Sequence, residues 1–175
     1  MSRTQLIALA ALGSAALLAG AFAFQYLGGL APCHLCLQQR YPHGAAVVIG
    51  VLAILIPAGL TGRLLPWLGA LAALTTAGLG AYHTGVERHW WEGPSTCTSG
   101  SIIGIDAKDL LAQIQAAPVV QCDQVAWQMI GLSMASWNML ASLALAVLWV
   151  LAPRARLRRR VNFRLMETVK LLLLH

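Results

Sequence analysis

Residues 64–86 read LLPWLGALAALTTAGLGAYHTGV, without one Asp, Glu, Lys or Arg. About 20 apolar residues in a helix cross the hydrocarbon core of a bilayer, and this stretch supplies one such helix. Working outward, charge-free runs also occupy 4–39, 41–62 and 124–153. The runs predict spans near 6–27, 43–60, 64–86 and 132–151. The chain is 58% hydrophobic and 10% charged, with a mean hydropathy of +0.69, which excludes an ordinary soluble domain. The expected fold is an all-α membrane protein. It is a four-transmembrane-helix bundle forming one domain over 1–175, with outer loops at 28–42 and 87–131 and a basic tail at 152–175. A cleaved signal peptide is the competing reading of the first span, with Arg3 as its basic start and Ala21-Phe22-Ala23 as its small-residue site. Against it, the apolar run exceeds the usual ~7–15 residues and leads into three more spans. No solenoid repeat or nucleotide-binding glycine motif is present.

The net charge of +6 is unevenly placed. Arg154, Arg156, Arg158, Arg159, Arg160, Arg164 and Lys170 follow the last span, against Glu167 alone. Arg3 precedes the first span, and Arg63 separates the second from the third. Residues 87–123 carry five acids against Arg88 and Lys108. The positive-inside bias then makes both termini and the Arg63 turn cytoplasmic and both longer loops external. The basic tail is a topology signal with some capacity for anionic lipid, and gives no argument for nucleic acid. In the second loop, Ala107, Leu110, Leu111 and Ile114 repeat at helical spacing behind Asp106. They predict a short helix lying on the bilayer surface before Pro118. Trp90 and Trp91 are expected as interfacial anchors. Ala70, Ala73, Ala77, Gly78 and Gly80 are expected to pack helix against helix.

All four cysteines fall on the external side of this topology: Cys33 and Cys36 after the first span, Cys97 and Cys122 after the third. An even count in an oxidising compartment fits pairing. The Cys-x-x-Cys spacing closes the small ring used by thiol oxidoreductases, where a helix N-terminus or a neighbouring cation stabilises one thiolate. Zinc is the alternative, but Cys97 and Cys122 lie too far apart in sequence to form a second Cys-x-x-Cys. His34 stands between the first two cysteines, so the haem-attachment order is absent. Two staples holding the loops remain compatible with the same spacing.

Arg40 follows Cys36 by four residues and is the one Lys or Arg in the first outer loop. Its placement opposes the positive-inside bias and suggests a role at the membrane edge, supporting a Cys36 thiolate or an oxygen-bearing ligand. Snorkelling to the headgroups is the plainer account. His83 lies near the outer end of the third span, at a depth matching Arg40. Pro42 disfavours helix at Tyr41 and leaves open whether Cys36 lies inside a helix.

Four segments carry a resemblance: PCHLCLQQR (32–40), GPSTC (93–97), Cys122-Asp123 and GLSMASWN (131–138). Together they resemble the disulfide bond formation protein B (DsbB) family, from the first span to the fourth, with Cys-x-Leu-Cys-x-x-x-Arg the most specific element. The resemblance implies an inner-membrane oxidoreductase. Such an enzyme reoxidises a DsbA-like periplasmic thiol oxidase and passes electrons to ubiquinone or menaquinone. A DsbA couple near about −120 mV demands an acceptor more oxidising than that, which excludes a glutathione pool. By the same resemblance, Cys97 is attacked by the partner, Cys122 relays oxidation to Cys33, and Cys36 faces the quinone beside Arg40 and His83. No metal is implied. The alternatives are a disulfide-stapled membrane adaptor without turnover and a Cys/His metal-binding membrane protein.

Overall fold

The computed structural model describes residues 1–56, 64–94 and 120–173, with side chains to 155. The short helix expected after Asp106, the Arg63 turn and Cys97 lie outside the described residues. Among the described residues four helices follow one another: α1 (Arg3–Tyr26), α2 (His34–Leu55), α3 (Leu64–Glu87) and α4 (Met134–Leu173). Each packs against the next, and α4 closes the ring against α1. Arg3–Tyr26, Leu64–Glu87 and Met134–Ala155 are long and apolar enough to cross a membrane. In α2 the first ten residues include His34, Gln38, Gln39, Arg40 and His43, so its apolar stretch is shorter.

Around an apolar core that includes Ile7, Leu145 and Trp149, the bundle turns many large apolar residues outward and several polar ones inward. Leu12, Val48, Leu55, Leu71 and Val147 are exposed, whereas Gln39, Thr76, His83, Thr84 and Ser136 are buried and hydrogen-bonded. A bilayer selects this inversion, because in lipid the outer face needs no polar groups and internal polar groups must find partners within the protein. Close approach of the helices comes from small residues. Trp149 is fully buried, and a Cβ on Gly69 would stand 2.5 Å from its ring. A Cβ on Gly50 would stand 2.5 Å from that of Ala11, and one on Gly80 would meet α4 backbone at 3.0 Å. Ala70, Ala73 and Ala77 are buried as expected, but Gly78 is exposed with open space around it.

Capping sets the start of α1, where the Ser2 hydroxyl accepts from the Gln5 N–H and the Gln5 side chain accepts from the Ser2 N–H. The second helix begins earlier than the expected span, at His34, and continues through Pro42. Proline removes the donor that would reach the Gln38 carbonyl, and the helix continues past it; at the neighbouring position the Thr76 hydroxyl of α3 donates to the Gln39 carbonyl at 3.2 Å and ties α3 to α2. The fourth helix begins later than expected. Leu132 and Ser133, the expected start of that span, instead form β2 (Leu132–Ser133), paired as a two-stranded hairpin with β1 (Gln128–Met129), Met129 opposite Leu132. Its two turn residues, Ile130 and Gly131, both have positive φ, 54° and 74°, as a tight hairpin of this twist requires. The Trp137 indole donates to the Met129 carbonyl at 3.2 Å and ties the hairpin to α4. The same end of the bundle therefore gathers the end of α1, the start of α2, the end of α3 and the start of α4.

Candidate functional site

The segment ending in Pro32 delivers Cys33 to the N-cap of α2, with extended backbone (φ −74°, ψ 172°). Its sulfur accepts the Cys36 N–H at 3.3 Å, in place of the hydroxyl or carboxylate usual at that position. One turn on, Cys36 Sγ lies 3.0 Å from Cys33 Sγ, and both are free thiols. The two sulfurs are electrostatically unequal. Donation of the Cys33 S–H to Cys36, followed by burial, pushes the Cys33 thiol up. The same hydrogen bond is the main influence holding Cys36 below the usual thiol range, with Arg40 a lesser one opposed by burial. The positive end of α2 acts in the same sense. Arg40, expected to support this thiolate, acts in the expected direction, and Cys33 is the larger influence.

A chain of buried side chains fixes where hydrogens sit. Gln39 Nε2 donates to the Leu35 carbonyl at 3.2 Å, and a carbonyl can only accept. The Gln39 amide is thereby oriented, so its second N–H meets His83 Nδ1 at 3.0 Å, and that nitrogen must accept. The proton of a neutral His83 ring is then on Nε2, which faces Cys33 Sγ at 3.6 Å and Glu87 Oε1 at 3.9 Å. On its other side, Gln39 Oε1 accepts from Asn138 Nδ2 at 2.7 Å. Asn138 Nδ2 also donates to Thr76 Oγ1 at 3.2 Å, whose own hydrogen is committed to Gln39 O. Asn138 Oδ1 must therefore face a donor, His43 Nε2, at 2.8 Å. One backbone carbonyl thus sets the tautomers of both histidines.

Between α1, α2, α4 and the segment carrying Trp127 lies a cavity of about 260 Å³. Its walls are mostly apolar, and Cys36, Gln39, Arg40, His43, His83 and Asn138 supply the polar side. Of the Cys33–Cys36 pair, Cys36 is the member that lines it. Trp127 packs on Phe24 of α1 with ring centroids 5.1 Å apart and helps close the cavity. Arg40 is bound to α1 at three points. Its guanidinium donates to Gln25 Oε1 at 2.7 Å and to the Ala21 carbonyl at 3.4 Å, and lies 4.8 Å from the Phe22 ring centroid. Two buried atoms of this wall, Arg40 Nε and His43 Nδ1, have no partner among the described residues.

On the opposite side of the dithiol stands Cys122, fully buried against Cys33, Leu35 and Val86 and held in a disulfide. The donor atoms of Cys33, His83 and Cys122 all lie within 4.8 Å of one another. A metal ion would need the lone pair of His83 Nε2, yet the Gln39 hydrogen bond places the proton there. His34, another candidate ligand, is exposed. Trp91 donates to the Tyr82 carbonyl at 3.0 Å and stacks on Tyr82, so it packs on its own chain as well as facing outward.

The structure thus gathers Cys33, Cys36, Arg40, His83 and Cys122 at one end of the bundle. It adds Gln39, His43, Thr76 and Asn138, which sequence reasoning had passed over. A signal existed for three of them, since Gln39 and His43 flank Arg40 within one turn and Asn138 interrupts an apolar run, and polar groups at such depths are costly without partners.

Comparison with known proteins follows the same residues. The profile of the family "Disulfide bond formation protein DsbB" matches residues 3–152. The chain is 32% identical over 164 residues to the "Disulfide bond formation protein B" of Stutzerimonas stutzeri, covering 87% of this chain and 97% of that one. It is 31% identical over 151 residues to the protein of that name from an Azoarcus species (80% and 87% covered). With the Methylococcus capsulatus protein, also so named, identity is 35% over 134 residues (75% and 82%). No solved structure matches.

Proposed function

The chain belongs to the disulfide bond formation protein B family, a multi-pass membrane protein of disulfide formation, and from that premise we propose that it is a protein dithiol:quinone oxidoreductase. In this reading it reoxidises a DsbA-like periplasmic thiol oxidase and delivers the electrons to ubiquinone or menaquinone. The bacterial inner membrane holds it with both termini cytoplasmic and the cysteines periplasmic.

The observation that carries the reading is the two-sidedness of the dithiol: Cys36 lines the apolar cavity while Cys33 is turned to Cys122. A staple needs no cavity at its sulfur, and the His83 tautomer argues against a cation. The cavity suits a quinone head, with apolar walls for the ring and an unpartnered donor, Arg40 Nε, for an oxygen. When bound, a quinone accepts two electrons and two protons.

The residues then divide the work. The partner's thiolate attacks Cys97 of a Cys97–Cys122 disulfide, and the partner's second thiol resolves that bond, leaving partner disulfide and a reduced loop pair. Cys122 thiolate attacks Cys33 of an oxidised Cys33–Cys36 pair, releasing Cys36. A thiol of depressed pKa leaves readily, so attack at Cys33 is favoured over attack at Cys36. Cys97 then attacks Cys122, restoring the loop disulfide and returning Cys33 as a thiol hydrogen-bonded to the Cys36 thiolate. Re-forming the Cys33–Cys36 disulfide would release two electrons and two protons to the quinone, so the balance is partner dithiol plus quinone to partner disulfide plus quinol. Arg40 holds Cys36 and the ring oxygen in one positive field, and His83 Nε2–H steadies Cys33.

The test mixes purified protein, a reduced periplasmic dithiol oxidase and ubiquinone or menaquinone analogues. Quinone reduction requiring all four cysteines is expected. Absence of turnover across several quinones and partners would leave the adaptor reading in its place.

A further inference from the structure

His43 lines the same cavity, and nothing in the cycle above uses it. It is 3% exposed, and its Nε2–H is committed to Asn138 by the hydrogen-bond chain that begins at the Leu35 carbonyl. Its Nδ1 is then a lone-pair acceptor, buried and without a partner among the described residues. A buried acceptor in that state costs stability until a donor meets it. The residues lining the site therefore hold two orphaned, buried atoms of opposite character, three residues apart on α2: the Arg40 Nε–H, which can only donate, and His43 Nδ1, which can only accept. A quinone carbonyl satisfies the first and gives nothing to the second. A hydroxyl satisfies the second.

Resting on the quinone reading, we propose that His43 is a further binding residue of the cavity, one that accepts a hydroxyl hydrogen and so recognises the reduced ring rather than the oxidised one. Asn138 acts through His43 as a positioning residue that forbids the other tautomer. Without it the imidazole is free to carry its proton on Nδ1, where it donates to a carbonyl instead of accepting from a hydroxyl.

The test is equilibrium binding under anaerobic conditions, using the oxidised full-length protein in detergent with a short-chain ubiquinone and its quinol. The readout is the ratio of the two dissociation constants, quinol over quinone. His43→Leu is expected to raise this ratio about threefold to tenfold, the value of one lost neutral hydrogen bond. Asn138→Leu keeps the imidazole and is expected to move the ratio in the same direction; it also supplies the answer should His43→Leu not fold. A structural role for His43 would shift both constants together, and an unmoved ratio in the folded variants overturns the assignment while the quinone reading stands. Failure of the unaltered protein to bind either form overturns both.

Discussion

Replacing Cys33 separates its influence on the Cys36 thiolate from that of Arg40. Its S–H reaches Cys36 Sγ at 3.0 Å and is the leading cause of the depressed Cys36 pKa, with the Arg40 cation behind it. A hydrogen bond to a charged acceptor contributes about 1.5–3 kcal/mol. Cys33→Ala removes the donor and that stabilisation of the thiolate, so the Cys36 midpoint should rise relative to Cys33→Ser, which keeps an O–H there. Adding Arg40→Met to Cys33→Ser should give a smaller rise, because the guanidinium is already turned to Gln25 and Ala21 on α1. The sign is fixed by the charge: a depressed pKa keeps thiolate present at lower pH, and losing the stabilising donor moves reactivity to higher pH. Each variant is purified without reductant, so the Cys122 disulfide stays closed. The rate of Cys36 alkylation is then followed from acid to alkaline pH. A larger shift from Arg40→Met than from Cys33→Ala would refute the reasoning and return the main role to the cation.

Packing gives a paired prediction: Gly69→Ala puts a methyl 2.5 Å from the Trp149 ring, whereas Gly78→Ala meets nothing within 4 Å. The first should cost about 1–3 kcal/mol and lower the Tm in detergent, and the second should be neutral or slightly stabilising; equal effects would mean the helices do not approach closely at Trp149. For the loop pair, a DsbA-like partner lacking its resolving cysteine, added to intact spheroplasts, should be trapped as a mixed disulfide through Cys97. A complex that survives Cys97→Ala but not Cys122→Ala reverses the two roles, and one that forms only after the membrane is opened overturns the orientation.

The helices were legible because charge is costly in lipid, so runs free of it mark where chain can lie. Boundaries were less legible for local reasons. Pro42 argues against helix at Tyr41, yet packing of α2 between α1 and α3 outweighs that local preference and α2 runs through it. Leu132 and Ser133 belong to a charge-free run, and a strand of two residues offers no alternation to detect. The cysteines announced themselves through spacing, and Arg40 through a position that topology disfavours.

What sequence alone could not yield is the direction of the hydrogen bonds, since direction is a property of the assembled chain of contacts. Asn138 reaches Gln39 across 99 positions and His43 across 95, and no local pattern in α2 anticipates a partner on α4. Yet the origin of the order is local: a helix carbonyl at Leu35, four residues before Gln39, orients one amide. From there each donor forces an acceptor, outward to His83 beside Cys33 and inward to His43 in the cavity. Gln39→Leu should accordingly disturb both ends at once, leaving His83 Nδ1 and Asn138 Nδ2 each short of a partner at about 1–3 kcal/mol apiece. Its effect on the Cys36 midpoint and on the quinol-to-quinone ratio should therefore appear together. If only one of the two moved, the four side chains would not be a single unit.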